Sequence, residues 1–169
     1  MQGHFGKEDL THTNHPNARS DSWHTQERRE RAILTKRANF MNDQAQIRVL
    51  SVDDHPVLNE GIAALIGNQA DMRLIAQANS GGDAIEKFRG YQPDVTLMDL
   101  RLPDMSGIDT MIAIRTEFPE ARIIMLTTFE GDVDIQRALG AGARGCVLKS
   151  VPPKNLVAAI RQVHAGTFW

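Results

Sequence analysis

The chain has 169 residues, 41% of them hydrophobic and 24% charged, and 19 Lys and Arg against 21 Asp and Glu leave a formal charge of −2. That length suits one ordinary domain plus a remainder, and so balanced a charge supplies no global basic field for gripping nucleic acid. The lone Cys146 excludes an internal disulfide framework and a cysteine-cluster metal site, while no apolar run reads as a membrane span or a secretory signal, so a soluble, reducing compartment is expected.

In chain order, the first feature is a change of composition. Residues 1–45 hold 12 apolar residues, about 27%, whereas residues 46–169 hold 58, about 47%. The first segment is too polar to offset its ordering entropy by burial. It is read as a disordered N-terminal extension with a short helix near Ser22–Phe40. His12 and His15 are candidate metal ligands, but no cysteine or second spaced histidine pair completes a site. Arg28, Arg29, Arg31, Lys36 and Arg37 are candidate nucleic-acid contacts, but Glu27 and Glu30 interleave with them as on a solvated helix face. Met41, five residues before the first strand, is a candidate natural start.

From residue 46 onward, apolar strands alternate with helical spacings. Ile47–Val52 reads as a strand ending in Asp53-Asp54, and Val57–Gln69 as a helix with Leu58, Ile62, Leu65 and Ile66 inward. Met72–Ala78 is a second strand; Ser80 then caps a helix through Phe88, with Asp83 in capping-box position. Asp94–Asp99 is a third strand, and Ser106–Glu117 a helix with Ile108, Met111 and Ile112 on its inner face. Arg122–Thr127 is the fourth strand, followed by a helix over Asp132–Gly142 through Ile135, Ala138 and Leu139. Gly145–Leu148 is a short fifth strand, and Pro152–His164 a last helix with Leu156, Ile160 and Val163 inward.

Five βα units with near-continuous apolar strands predict a parallel sheet covered on both faces. Right-handed crossovers make it a doubly wound, flavodoxin-like (βα)5 sheet of order 2-1-3-4-5. Ligands of such sheets sit beyond the carboxyl ends of the strands. Those ends carry Asp53-Asp54, Asp99, Thr127-Thr128 and Lys149. Three clustered carboxylates repel one another unless positive charge is at hand. Lys149 supplies one unit, and a hard dication with oxygen ligands, such as Mg²⁺, supplies two. Such a set suits phosphoryl transfer to a carboxylate, which needs mainly positioning and charge stabilisation.

These residues carry a resemblance. The segments V-L-S-V-D-D-H-P, L-M-D-L-R-L-P-D-M-S-G-I, I-I-M-L-T-T-F and G-A-G-A-R-G-C-V-L-K-S make residues 46–166 similar to a response-regulator receiver domain. The D-D-H-P start, the L-T-T-F strand end and Lys149-Ser150 without a following proline resemble the NarL/FixJ subfamily, which carries LuxR-type outputs. The resemblance implies that Asp99 accepts a phosphoryl group from a sensor histidine kinase. It implies Mg²⁺ on Asp54, Asp99 and the backbone carbonyl of Arg101, with Asp53 acting through a metal-bound water. Lys149 and Thr127 are implied to contact phosphoryl oxygens, and Pro103 and Gly107 to shape the loop after Asp99. Arg101 and Phe129 stand where the family flanks the hydrolytic water, so a long-lived phosphoryl state is expected. The switched surface is implied to be about 132–166.

The sequence departs from the family at Cys146, which replaces an aromatic switch residue. It is expected to be a buried, inert thiol in a central strand rather than a redox sensor. His55, beside Pro56, is read as a surface residue rather than a relay or ligand, Asp104 as a turn residue, and Thr128 as a structural neighbour. An aspartyl phosphatase would need D-x-D at Asp99, where Arg101 stands instead. Phosphate-loop and dinucleotide motifs are missing as well. The chain is therefore expected to be no enzyme beyond its own phosphorylation and dephosphorylation. Residues 46–169 are read as a receiver with no output domain in the chain, so DNA would be reached only through an absent helix-turn-helix. A homodimer on phosphorylation and no membrane partner are expected. The alternatives are a stand-alone receiver acting by protein contacts and a phosphorylation-independent binding module.

Overall fold

The computed structural model describes residues 27–35, 46–128 and 132–169. The chain divides between Gln44 and Ala45. In the first unit, residues 27–35 form a helix. His12, His15, Lys36, Arg37 and Met41 lie outside the described residues, as does Phe129 in the second unit.

The second unit is built from five βα repeats. The strands are β1 (Ile47–Val52), β2 (Met72–Ala78), β3 (Val95–Asp99), β4 (Ile123–Thr127) and β5 (Gly145–Leu148). The helices are α1 (Pro56–Gly67), α2 (Gly81–Tyr91), α3 (Gly107–Glu117), α4 (Asp132–Gly140) and α5 (Pro153–His164). All pairings are parallel, and the order is β2-β1-β3-β4-β5, as the alternation predicts. The fold is therefore the doubly wound, flavodoxin-like one.

Strand alternation divides the apolar residues between two cores. Val49, Leu97, Ile124 and Val147 face α1 and α5, where Ile62, Ile66, Leu156 and Ile160 meet them. Leu50, Met98, Ile123 and Met125 face the other side, against Ala84, Phe88, Met111, Ile114 and Ala138. Burial on both faces explains why the strands read as continuous apolar runs.

Local signals set the helix starts. The Ser80 hydroxyl accepts from the Asp83 amide at 3.2 Å, and the Ser106 hydroxyl from the Asp109 amide at 3.1 Å. The Asp83 carboxylate accepts instead from the Asn79 amide, one residue outside a reciprocal capping box. Pro56 and Pro153 occupy first-turn positions of α1 and α5, where a missing N–H costs nothing.

Three expectations about facing are corrected. Ile112 points outward at 45% exposure, and Ile114 takes the inner position of α3. Leu139 is 42% exposed, so α4 anchors through Ala138. The inner stripe at those points advances by three residues rather than four. The third correction is that β5 is an edge strand and Cys146 only half buried. Burial still pushes its thiol up from the ordinary value, which keeps it protonated and poorly reactive.

The C-terminal residues lie against that edge. The Trp169 amide donates to the Arg144 carbonyl at 3.0 Å. A Cβ on Gly145 would stand 2.8 Å from Trp169 Cβ, so only glycine admits this approach. A tighter constraint operates at Gly107. Its amide donates to the Leu100 carbonyl at 2.9 Å, and an added Cβ would overlap the Asp99 carbonyl. Gly107→Ala should therefore lower stability by about 3 kcal/mol. Gly90→Ala, with nothing within 4 Å in exposed α2, should raise it by roughly 0.5–1 kcal/mol. Urea unfolding at neutral pH checks both.

Candidate functional site

The carboxyl ends of β1, β3, β4 and β5 form one rim. Asp99 is the last residue of β3 and Thr127 the last of β4; Asp53-Asp54 and Lys149 immediately follow β1 and β5. Asp53 is fully buried, and Asp99 and Thr127 are 4% and 6% exposed. Such burial of charge is tolerated only with a partner.

Lys149 is that partner. Its ammonium lies 2.6 Å from Asp53 Oδ2 and 2.8 Å from Asp99 Oδ2. Burial alone, the largest single influence, would pull Lys149 down. The hydrogen bonds and charges of Asp53 and Asp99 together outweigh it and hold the ammonium above its ordinary value. The Lys149 backbone amide donates to the Thr127 carbonyl at 2.7 Å, tying the ends of β4 and β5 together. Alternation also assists. Asp99 lies two residues beyond Leu97 and Lys149 two beyond Val147, both of which face α1 and α5.

Two residues read from sequence as peripheral are drawn in. His55 precedes α1 with extended backbone, and its Nδ1 lies 3.0 Å from Asp53 Oδ1 and 2.9 Å from Asp54 Oδ1. Its side chain is 69% exposed, so the surface reading holds for its burial but not for its neighbours. Asp104 is more than a turn residue. Its carboxylate accepts from the Gly81 amide at 2.7 Å and the Gly82 amide at 2.8 Å, at the start of α2. The Gly82 and Gly81 amides hold its carboxyl below the usual carboxylate range. This clamp fixes the loop that runs from Asp99 past Arg101 and Pro103 to Gly107.

A third residue was missed outright. Asn59, one turn into α1, donates from Nδ2 to the Asp53 carbonyl at 2.7 Å and accepts from the Ser51 hydroxyl at 3.2 Å. An asparagine three residues after D-D-H-P, inside an apolar helix pattern, is the signal that would have found it.

Asp99, Arg101, Thr127, Thr128, His55 and Lys149 line a cleft of about 310 Å³, with Asp134 of α4 at its side. Thr128 is thus exposed at the cleft rather than a purely structural neighbour. The Arg101 amide approaches Asp99 Oδ1 at 3.3 Å. A larger cavity between α1 and α5 is lined mainly by carbon, including Leu58, Ile62, Leu65 and Leu156. The charged chemistry belongs to the cleft.

The donor set accommodates a small dication. Asp53, Asp54, His55 and Asp99 each offer an atom, all within 4.8 Å of one another. Among the described residues, Asp53 Oδ2 is met by the Lys149 ammonium at 2.6 Å and by no other donor. Hard oxygen donors with uncompensated negative charge are the ligands magnesium-like cations take.

The profile described as "Response regulator receiver domain" matches residues 49–161. The chain belongs to the response-regulator receiver family. The response regulator protein VraR of Staphylococcus aureus is 36% identical over 120 residues, covering 71% of this chain and 57% of that protein. The chain thus matches little more than half the length of the curated relatives. A LuxR-family two-component response regulator from Aurantimonas sp. SI85-9A1 is 37% identical with a TM-score of 0.71, over 73% of this chain and 88% of that one. The signal receiver domain of NarL from Mycobacterium tuberculosis is 28% identical with a TM-score of 0.69, over 72% and 98%. No helix among the described residues of this receiver is long and apolar enough to cross a membrane.

The clamp at Asp104 gives the receiver a defined acid response. A carboxyl held low in the folded state contributes stability above its unfolded pKa, about 4, and loses it as pH falls through the lower folded value. Asp104→Asn should therefore flatten the loss of stability below about pH 4 while lowering stability at pH 7. Unfolding midpoints measured at pH 7 and pH 3 for both proteins test this.

Proposed function

We propose that this chain is the receiver portion of a LuxR-type, DNA-binding two-component response regulator. Asp99 accepts a phosphoryl group from the phosphohistidine of a sensor histidine kinase. The phosphorus–nitrogen bond breaks as a bond forms to an Asp99 carboxylate oxygen, and the departing imidazole keeps the electron pair and takes up a proton. The observation that carries this reading is the Lys149 ammonium shared between the buried carboxylates of Asp53 and Asp99.

Mg²⁺ is the cation this reading requires. Asp54, Asp99 and the Arg101 carbonyl would hold it directly, and Asp53 through a bound water. When bound, it supplies positive charge to the phosphoryl oxygens. Lys149 can leave Asp99 Oδ2 for a phosphoryl oxygen without leaving the cleft. Thr127, at the end of β4, offers its hydroxyl to another. These contacts exist only after phosphorylation, so they favour whichever conformation forms them. The affected surface is α4, β5 and α5, about residues 132–166, since Lys149 and Thr127 are joined through the backbone there.

In this reading residues 46–169 are the receiver and 1–45 an extension, and the protein works in the cytoplasm. DNA is bound through an output domain outside this sequence, and phosphorylation favours a homodimer. Chemistry is limited to the protein's own phosphorylation and dephosphorylation.

Acetyl phosphate with Mg²⁺ tests the acceptor. Intact mass should rise by one phosphoryl group for the wild type and not for Asp99→Ala; modification of Asp99→Ala at the same rate would overturn the assignment. Thr127→Ala should still be phosphorylated but lose about tenfold in the active-to-inactive ratio, or roughly 1.4 kcal/mol. Hydrogen exchange in residues 132–166, with and without phosphodonor, reports that loss.

A further inference from the structure

One buried polar contact beneath the rim has no part in the phosphoryl-transfer scheme. Ser51 of β1 is fully buried. Strand alternation puts it on the side of Val49, which faces α1 and α5, and two residues before Asp53. Its hydroxyl donates to Asn59 Oδ1 at 3.2 Å, and Asn59 Nδ2 donates to the Asp53 carbonyl at 2.7 Å. The first contact decides the second. With Oδ1 taken up by the hydroxyl, the amide nitrogen is the atom turned to the carbonyl.

A serine at this depth serves packing poorly. An apolar residue of similar size needs no partner, whereas a buried hydroxyl costs stability unless it is paired. What the pairing secures is Asp53. The Asp53 amide donates to the Ala78 carbonyl at 3.0 Å, its carbonyl accepts from Asn59, and its Oδ1 accepts the His55 amide at 2.9 Å. Oδ2 is thereby aimed at the Lys149 ammonium, 2.6 Å away, which also lies 2.8 Å from Asp99 Oδ2. Without a firmly held Asp53, the ammonium would settle on Asp99 alone and would have no second carboxylate to hold it as it leaves.

We propose that Ser51 and Asn59 act as one positioning pair. They hold Asp53 so that Lys149 stays divided between Asp53 and Asp99, and the Asp99 carboxylate keeps the electron density with which it attacks phosphorus. The inference rests on Asp99 being the phosphoryl acceptor of the proposed function. Neither residue touches the phosphoryl group; both act through Asp53.

The test compares the full-length wild type with Ser51→Ala, Asn59→Leu and the double variant. Leucine keeps the side-chain size and suits a helix. Gln77→Ala is the control, since Gln77 Nε2 donates to the Asn59 backbone carbonyl at 2.9 Å and not to its side chain. Intact mass follows phosphorylation by saturating acetyl phosphate with Mg²⁺, and ¹⁵N resonance of Lys149 Nζ is recorded before the phosphodonor is added. The maximal rate should fall about tenfold in Asn59→Leu and about threefold in Ser51→Ala. The double variant should be no slower than Asn59→Leu, as for two residues acting as a unit. The Lys149 signal should shift in both single variants, and Gln77→Ala should match the wild type in both measurements. Wild-type rates with an unmoved Lys149 signal in Ser51→Ala and Asn59→Leu overturn this inference and leave the acceptor standing. So does a double variant slowed by the product of the single effects, or equal slowing in Gln77→Ala, which marks general loosening. If Asn59→Leu fails to fold, Ser51→Ala decides alone. A wild type that gains no phosphoryl group, or a gain that survives in Asp99→Ala, overturns the proposed function and this inference with it.

Discussion

One ammonium shared between two buried carboxylates organises the rim of this receiver. Asp53 and Asp99 belong to neighbouring strands, whereas Lys149 follows β5, two strands beyond β3. Adjacent strands lie about 4.8 Å apart, so only a long side chain reaches back across β4 to both acids. The same charge that makes this contact possible leaves the site incomplete. Asp53, Asp54 and Asp99 outnumber Lys149 by two formal units, and among the described residues Asp53 Oδ2 has no donor other than that ammonium. A site in that condition favours added positive charge, and in the proposed function its lysine moves from a carboxylate to a phosphoryl oxygen.

The loop after β3 is held from both ends for related reasons. At its far end, Gly107 comes so close to the Asp99 backbone that no side chain fits. In its middle, Asp104 accepts the first amides of α2, where unpaired N–H groups and the helix dipole favour a negative charge. Arg101, whose carbonyl the proposed chemistry requires, sits between Asp99 and the Asp104 anchor. The loop is therefore positioned by α2 and by β3 as much as by its own residues. Asn59 does the equivalent for β1, fastening the Asp53 carbonyl to α1.

The order of elements, the parallel sheet and the rim residues were legible in the sequence, because they follow from periodicity and from what stands at each strand end. Asp53-Asp54, Asp99, Thr127 and Lys149 stand where the apolar runs of their strands end, a purely local signal. Ile112, Leu139 and Cys146 were read wrongly for one shared reason. Periodicity says that a helix or strand has an inner side, but the angle at which it packs and its place in the sheet decide which residues that side includes. The order 2-1-3-4-5 already places β5 at an edge, so treating its cysteine as central was inconsistent with that order, and the residue is half exposed.

The sequence by itself determined the repeating βα pattern, the two apolar faces of each strand and the inventory of charged groups at the strand ends. Tertiary structure alone decided who meets whom. That Lys149 spans two acids, that Asp104 caps a helix beginning more than twenty residues earlier, and that the His55 ring lies between two carboxylates are all contacts between residues brought together by crossovers or by a sharp strand-to-helix turn. Local propensity carries no term for such distances. They are set by strand order, by the register of the sheet and by the direction each chain end takes as it leaves it.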